Sequence, residues 1–523
     1  MEAKQIIKRY DLAYGKKGIV DARYREVFEY VMPDRDGYNQ DGSTDKGFTY
    51  KRGNIFSSIG INAANTFVNR LQGLLTPIKA NFLELKVGKS ENKEQLDESL
   101  EEVAEVINVL KNKSNFDQEM GSFYYDLVAG TACLLVLKGD VDRKVIFRAI
   151  PIKDICILEG VGGEVSDVFR KMTIRRELLR YQWTELKDME VSKDKEDEEA
   201  EIIECTHYCY DKKIWQYYVV DRKNDKTLVE REYEVNPFIV LRWASAPGEI
   251  YGRGVGLQAL PDIKTHNEMR ENMLISAAFN LPTFLAEMDG ILDPDEFQLK
   301  PGVINPVAST ASNNPSVIPL AVNTQMDIAK FNMTDVETAI KKTMLDNVLP
   351  DEVRPGLTAT EVVERAQAQN VNVSSVFGRL ENDLLFPLTL NLVHIAKQFG
   401  DIAQEFDLGL LKNGTVEVVV NTPLMKQQQQ QQVRSSVASL AILAQFDPTG
   451  QVIQAAIKMP GYVNWLLDKM GFPSEFNNSP EKMEQALMQQ AQAQAQAAQA
   501  EQAAQVEGQM AVDTNKAEAN AGN

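Results

Sequence analysis

The sequence predicts an α+β protein, mainly helical and divided among several units, and three observations carry that reading. Two long stretches, Val255–Phe279 and Met326–Val348, repeat apolar residues at intervals of three and four, the period of one helix face. Between Val145 and Val240, short runs of β-branched and aromatic residues are bounded by Gly, Asp and Asn, as strands joined by turns are. At 523 residues, with 44% hydrophobic and 25% charged side chains, the chain is too long for one core and too apolar to be disordered; roughly two to four domains are expected.

Taken in order, the chain is helical in pattern to about Arg70, with a break at Pro33 and a polar loop, DRDGYNQDGSTDKG, of turn-forming residues. Ser57–Leu75 places Ile59, Ala63, Phe67 and Leu71 on one stripe and must stop at Thr76-Pro77. Phe82–Val87 alternates apolar and charged residues, the pattern of a strand with one wet face. Glu94–Ser114 reads as a charged amphipathic helix and Phe116–Leu127 as another. A buried strand follows from Gly130, with a hairpin through Lys138-Gly139-Asp140.

Five strand-like runs come next: VIFRAIPI, VFRKMTIRREL, EIIECTHYCYD, IWQYYVVD and PFIVLRWA. The charged run Lys187–Glu201 between them reads as a solvated loop, and Trp215 and Trp243 as packing residues.

The rest of the chain is organised around Tyr251–Leu357. Leu257, Leu260, Ile263, Met273, Leu274 and Ala277 mark the first helix, with a possible break at Pro261; Ile328, Phe331, Val336, Ile340, Met344 and Leu345 mark the second. Each would be about 36 Å long at about 1.5 Å per residue. The Pro-punctuated insert between them is an extended module at the far end of a helical hairpin. The same pattern also suits an ordinary αα pair in a globular core with a long surface loop. A short loop, DEVRPGL, ends the stretch.

Thr358–Glu361 fits a capping box, opening a helix to about Phe377 and a further one to Phe399, interrupted at Pro387. A strand, TVEVVV, and two or three short helices follow. The last forty-odd residues are Gln/Ala-rich with no apolar stripe to bury, so the tail is either frayed or helical only within an oligomer.

The chemistry is mostly an absence. A net charge of −19 argues against gripping nucleic acid through a broad basic patch, though not against letting it pass. Four cysteines are too few for a disulfide framework and point to a reducing compartment. No signal-like or membrane-spanning apolar run is found, so synthesis in the cytoplasm and no membrane partner are expected.

Cys205, His207 and Cys209 alternate along one strand, too spread for a tetrahedral ion, and read as core residues. His266 and His394 lie on helices with no nucleophile nearby. No phosphate-loop motif occurs, and the glycines of Tyr251–Gly256 depart from the dinucleotide fingerprint. The carboxylates Asp289, Asp293, Asp295 and Glu296 lack calcium-loop spacing. No enzyme, cofactor, metal or catalytic residue is expected.

The block from Asn236 to Leu285, then DEVRPGLTATEVVERAQ and PLTLNLVHI, resembles the portal (head-to-tail connector) proteins of short-tailed, podovirus-type phages. SSIGINAANTFVNRLQGLLTP and FYYDLVAGTACLLVL fit as well, so the resemblance covers most of residues 1–470 in order. Its most specific parts are Tyr251-Gly252-Arg253-Gly254, opening a helix, and the R-x-G-x-T-A-x-E run at Arg354–Glu361.

The resemblance implies a ring, commonly dodecameric, at one capsid vertex. It divides the chain into a wing (1–252), stem helices (253–280 and 324–347) that begin at Tyr251, Gly252, Arg253 and Gly254, and a clip (281–323). A channel loop (348–357), long connecting helices (358–399), a crown (400–478) and a tail (479–523) complete it. The clip, with Asp289, Asp293, Asp295, Glu296 and Lys300, would dock the terminase and later the tail adaptors. The loop, with Pro350, Asp351, Glu352, Val353, Arg354, Pro355 and Gly356, would project into the bore. Capsid and scaffolding proteins are further implied partners, and the location is the virion after assembly in the host cytoplasm.

A bore of about 36 Å faces roughly 20 phosphates of a duplex, and pairing with even about six to ten of them would make the DNA stick. An acidic chain suits a conduit, with Lys341, Lys342 and Arg354 as local guides. Two other classes fit the residues: an adaptor ring of the tail that never packages DNA, and a metal-dependent nuclease built on the insert's carboxylates.

Overall fold

The computed structural model describes residues 1–33, 52–87, 93–187, 198–279, 326–346, 378–403, 416–420, 423–446 and 456–470, with a few short pieces between them. The chain falls into two compact units, Met1–Asn421 and Thr422–Asn523, each α-helical in part and the first α+β.

The first unit opens with helix α1 (Ala3–Val31), whose buried residues Ile6, Tyr10, Ala13, Lys17, Tyr24, Val27 and Val31 recur at helical spacing. It ends at Val31, capped by Met32 just before Pro33. Helix α2 (Ile59–Leu75) buries Ala63, Phe67 and Leu71 as its pattern requires and stops before Pro77. Strand β1 (Leu83–Val87) is followed by helices α3 (Lys93–Lys113) and α4 (Phe116–Ala129).

Strands β2 (Thr131–Lys138) and β3 (Val145–Ile150) form the expected hairpin. With β9 (Phe238–Arg242) on its other edge, β2 becomes the centre of a three-stranded antiparallel sheet. A second sheet is a five-stranded antiparallel meander of β4 (Ile155–Glu159), β5 (Val165–Arg175), β6 (Glu199–Cys209), β7 (Ile214–Asp221) and β8 (Lys226–Tyr233). A short helix, α5 (Arg176–Gln182), follows β5. Helix α1 lies on this sheet, packing Ala3, Ile6, Tyr10 and Ala13 against Cys156, Phe169, Cys205 and Tyr218. Strand β6 starts at Glu199, so the end of the run read as a solvated loop is paired, Glu199 opposite Arg175.

Helix α6 (Val255–Phe279) has the bounds its periodicity predicts. It does not break at Pro261: the proline removes a single N–H, while Ala259, Leu260 and Ile263 around it are buried and hold the helix. Strands β10 (Leu285–Glu287) and β11 (Asn305–Val307) pair in parallel within the insert. Helix α7 (Met326–Thr343) packs against α6 and ends in a turn over 344–346.

Near Pro387 the chain again does not break. A π-helical turn, Glu381–Leu385, runs without a gap into α8 (Phe386–Phe399), so the interruption expected at Pro387 takes the form of a widened turn just before the proline, which lacks the N–H a regular helix would use there. Strand β12 (Val416–Val420) pairs antiparallel with β1, Leu83 opposite Val420. The first unit therefore runs past residue 400, where the sequence places the crown, and ends at Asn421. The helix expected from Thr358 to Phe377 lies outside the described residues.

In the second unit the first of the expected helices, α9 (Pro423–Phe446), is longer than expected and carries the run Gln427–Gln432 within it, glutamine being a good helix former. It packs against α10 (Met459–Met470), with Ser436 Oγ donating to Tyr462 Oη at 3.1 Å. Most of the tail lies outside the described residues.

Candidate functional site: the root of the long helix pair

Two backbone segments cross where α4 turns into β2 and where the chain enters α6. A Cβ on Gly130 would lie 2.2 Å from the carbonyl oxygen of Gly252, one on Gly252 2.2 Å from that of Gly130, and one on Gly254 2.1 Å from that of Val128. Gly130 also has φ +145°, a conformation that side chains rarely adopt. The contact is hydrogen-bonded throughout. Gly254 N–H donates to Ala129 O at 3.0 Å and Trp243 N–H to Gly130 O at 2.9 Å. Gly252 N–H donates to Thr131 Oγ1 at 2.9 Å, and Tyr24 Oη donates to Gly252 O at 2.5 Å.

Tyr251 is buried and its hydroxyl accepts the Ile157 N–H at 3.0 Å, joining the root to β4; burial pushes the phenols of Tyr24 and Tyr251 well up. Arg253 points outward and pairs with Glu249. Of the four residues read as the helix start, three lock the crossing and one is surface.

Further along α6, Asn267 Oδ1 accepts from Phe56 N–H at 2.7 Å and from Ser57 N–H at 3.1 Å, and its amide donates to Asn54 O at 2.8 Å. His266, 3% exposed, lies against α7 with Nε2 3.3 Å from Glu337 Oε1. Beyond this point α6 emerges: Leu274, on the apolar face that the periodicity marks, and Ile275 are 49% and 47% exposed.

The end of α7 is held from α2. Arg70 donates to Leu345 O at 2.7 Å, and Leu345 adopts φ +57°, uncommon for a branched side chain. Asp346 N–H returns to Lys341 O at 2.8 Å. Burial lowers the Arg70 guanidinium, and it raises the Asp346 carboxyl. Lys341 and Lys342 are exposed in the last turn, where cations suit the helix dipole. Pro350, Asp351, Glu352, Val353, Arg354, Pro355 and Gly356 lie outside the described residues, as do Asp289, Asp293, Asp295, Glu296 and Lys300.

The structure does not bring the histidines together. His207 Nδ1 is 2.7 Å from Asp167, which also receives Arg9 at 2.8 Å and Ser166 at 2.8 Å. Burial works to raise the Asp167 carboxyl, but these donors hold it below the usual range. Cys205 is core and Cys209 half-buried. His266 sits on α6, and His394, on α8, bonds Gln398 at 2.9 Å. Among the described residues no three His, Cys, Asp or Glu side chains converge as metal ligands, and no helix is long and apolar enough to cross a membrane. Sequence reasoning missed Tyr24, Gly130, Thr131, Arg70 and Asn267; only Gly130-Thr131, at a helix-to-strand switch, carried a local signal.

Comparison with known proteins gives the arrangement a family. The chain is 22% identical over 422 residues to the probable portal protein of Bordetella phage BPP-1, covering 74% of this chain and 73% of that protein. Among solved structures it resembles a chain in the neck of an empty GTA particle computed with C6 symmetry, with a TM-score of 0.34, 10% identity, and coverage of 74% of this chain and 88% of that one. The profile of the family described as "Bacteriophage head to tail connecting protein" matches residues 3–477, and the chain belongs to that family.

Proposed function

We propose that the chain is a portal protein: a ring-forming subunit at one capsid vertex whose bore passes double-stranded DNA during packaging and ejection. The observation that carries this reading is the family match over residues 3–477, which includes the glycine crossing and both long helices. Leu274 and Ile275, left uncovered on α6, are surfaces that neighbouring copies would bury, each methylene worth about 0.8 kcal/mol.

In this reading the pair α6–α7 is the stem, residues 281–323 the clip that docks terminase and tail adaptors, and 348–357 the channel loop. The second unit, from Thr422, is the crown. The protein works as a conduit and platform and not as an enzyme, and its ring is a dodecamer. At −19 the chain repels a duplex over the screened range of about 8–10 Å, so DNA slides past Lys341 and Lys342 instead of being held.

The test is a phage carrying a stop codon early in this gene. The proposal expects capsid shells that contain no DNA. DNA-filled heads that merely lack tails would instead make the chain an adaptor that acts after packaging.

A further inference from the structure

We infer that the outer face of α1 is a contact between copies of this chain, seated against the outer face of α3 in the next copy. This rests on the ring reading above and names two surfaces that would close the ring.

On the side of α1 away from its buried residues, Lys8, Leu12, Gly15, Ile19, Ala22 and Glu26 follow one another at intervals of four, three, four, three and four. That is the seam spacing of a helix that packs against another helix. All six are exposed, Leu12 at 56% and Ile19 at 76%. Gly15 has open space around the position of a Cβ, so nothing within the chain explains a mid-helix glycine that costs about 1 kcal/mol relative to alanine. Close approach of a second helix would. Its one acidic member, Glu26, is already paired with Lys264 at 2.8 Å, and the exposed Lys16 and Arg23 flank the seam, so the rest is a basic, apolar strip on an acidic protein.

The complementary strip is on α3. Glu102, Glu105 and Val109 are exposed at intervals of three and four. Beside Val109 a cleft of about 390 Å³ opens toward Val141, which is 80% exposed. Lys8 and Lys16 are opposite in charge to Glu102 and Glu105, and Val106, Val109, Leu110 and Val141 give the cleft an apolar wall for Leu12 and Ile19 beside the charged Lys113, Arg143 and Lys144. A symmetric antiparallel pairing of two α1 helices would set Lys8 against Glu26 without using α3, and reversing the charges on α3 would leave it unchanged. Because the two faces of the α1–α3 contact differ, each copy gives one and receives one, the head-to-tail arrangement that makes a ring when the rotation between copies closes. Helix α4 packs against both α1 and α3, so the two faces belong to one compact unit.

The experiment is a charge swap in the full chain, read by mass photometry at fixed concentration, with circular dichroism and thermal melting as fold controls. Wild type forms rings, K8E/K16E and E102K/E105K each weaken assembly at least tenfold with unchanged melting, and the four-fold variant restores rings. Normal rings from either pair, or no recovery in the combination, would overturn the contact. A wild-type chain that stays monomeric would remove the ring reading itself, and the contact with it.

Discussion

Gly130 and Gly252 meet backbone to backbone: a Cβ on either would stand 2.2 Å from the carbonyl oxygen of the other. The long helix α6 leaves the sheet-bearing part of the first unit through this crossing, and the Tyr24 and Thr131 hydroxyls complete it. There is no flexible side-chain end here to move aside.

Gly252→Ala is therefore expected to lower stability by about 1–3 kcal/mol, the range for overpacking a fitted site. Gly130→Ala adds strain at φ +145°. Gly73→Ala, on an exposed helix position with open space, should instead be neutral or stabilising by up to about 1 kcal/mol. Thermal melting of the three variants at one concentration checks the contrast.

How much of this was legible beforehand differs by element. Val255–Phe279 was readable to the residue, because its apolar spacing and opening glycines are local signals. The crossing was not, since it joins residues more than a hundred positions apart and glycine alone does not name its partner. The same holds for β1 and β12: both alternations are visible, but nothing in either says that Leu83 faces Val420. Leu274 shows the limit of periodicity, which says that a face is apolar but not what covers it.

Asp126 gives a pH-dependent prediction. Burial pushes its carboxyl up to about 7, against the opposing pull of Arg35 at 3.7 Å and the Ile152 N–H at 3.1 Å. A folded-state value above the unfolded one means that its contribution is fully present below about pH 4 and lost as pH rises through 7. Asp126→Asn keeps the acceptor and removes the titration. The variant should match wild type near pH 4 and exceed it at pH 8 by an amount on the order of 1–4 kcal/mol. Denaturation curves at the two pH values read the difference directly.

Arg70 holds the end of α7 through Leu345 O. Arg70→Ala should cost about 1–3 kcal/mol, as loss of a charge-assisted hydrogen bond does. Hydrogen exchange should quicken at the amides of Leu345 and Asp346 while the middle of α6 is unchanged. Equal protection in both proteins would remove Arg70 from the anchoring of this turn.

Shortening residues 349–357 should leave ring assembly intact while DNA retention or packaging fails. Normal packaging in that variant would take the loop out of the mechanism.

The most direct measurement of the central claim is electron microscopy of the purified full-length protein viewed end-on. The account predicts closed rings with an open centre wide enough for a duplex, lined by the α6–α7 pair. A particle that stays monomeric at every concentration, or rings whose centre is filled by 255–346, would contradict it.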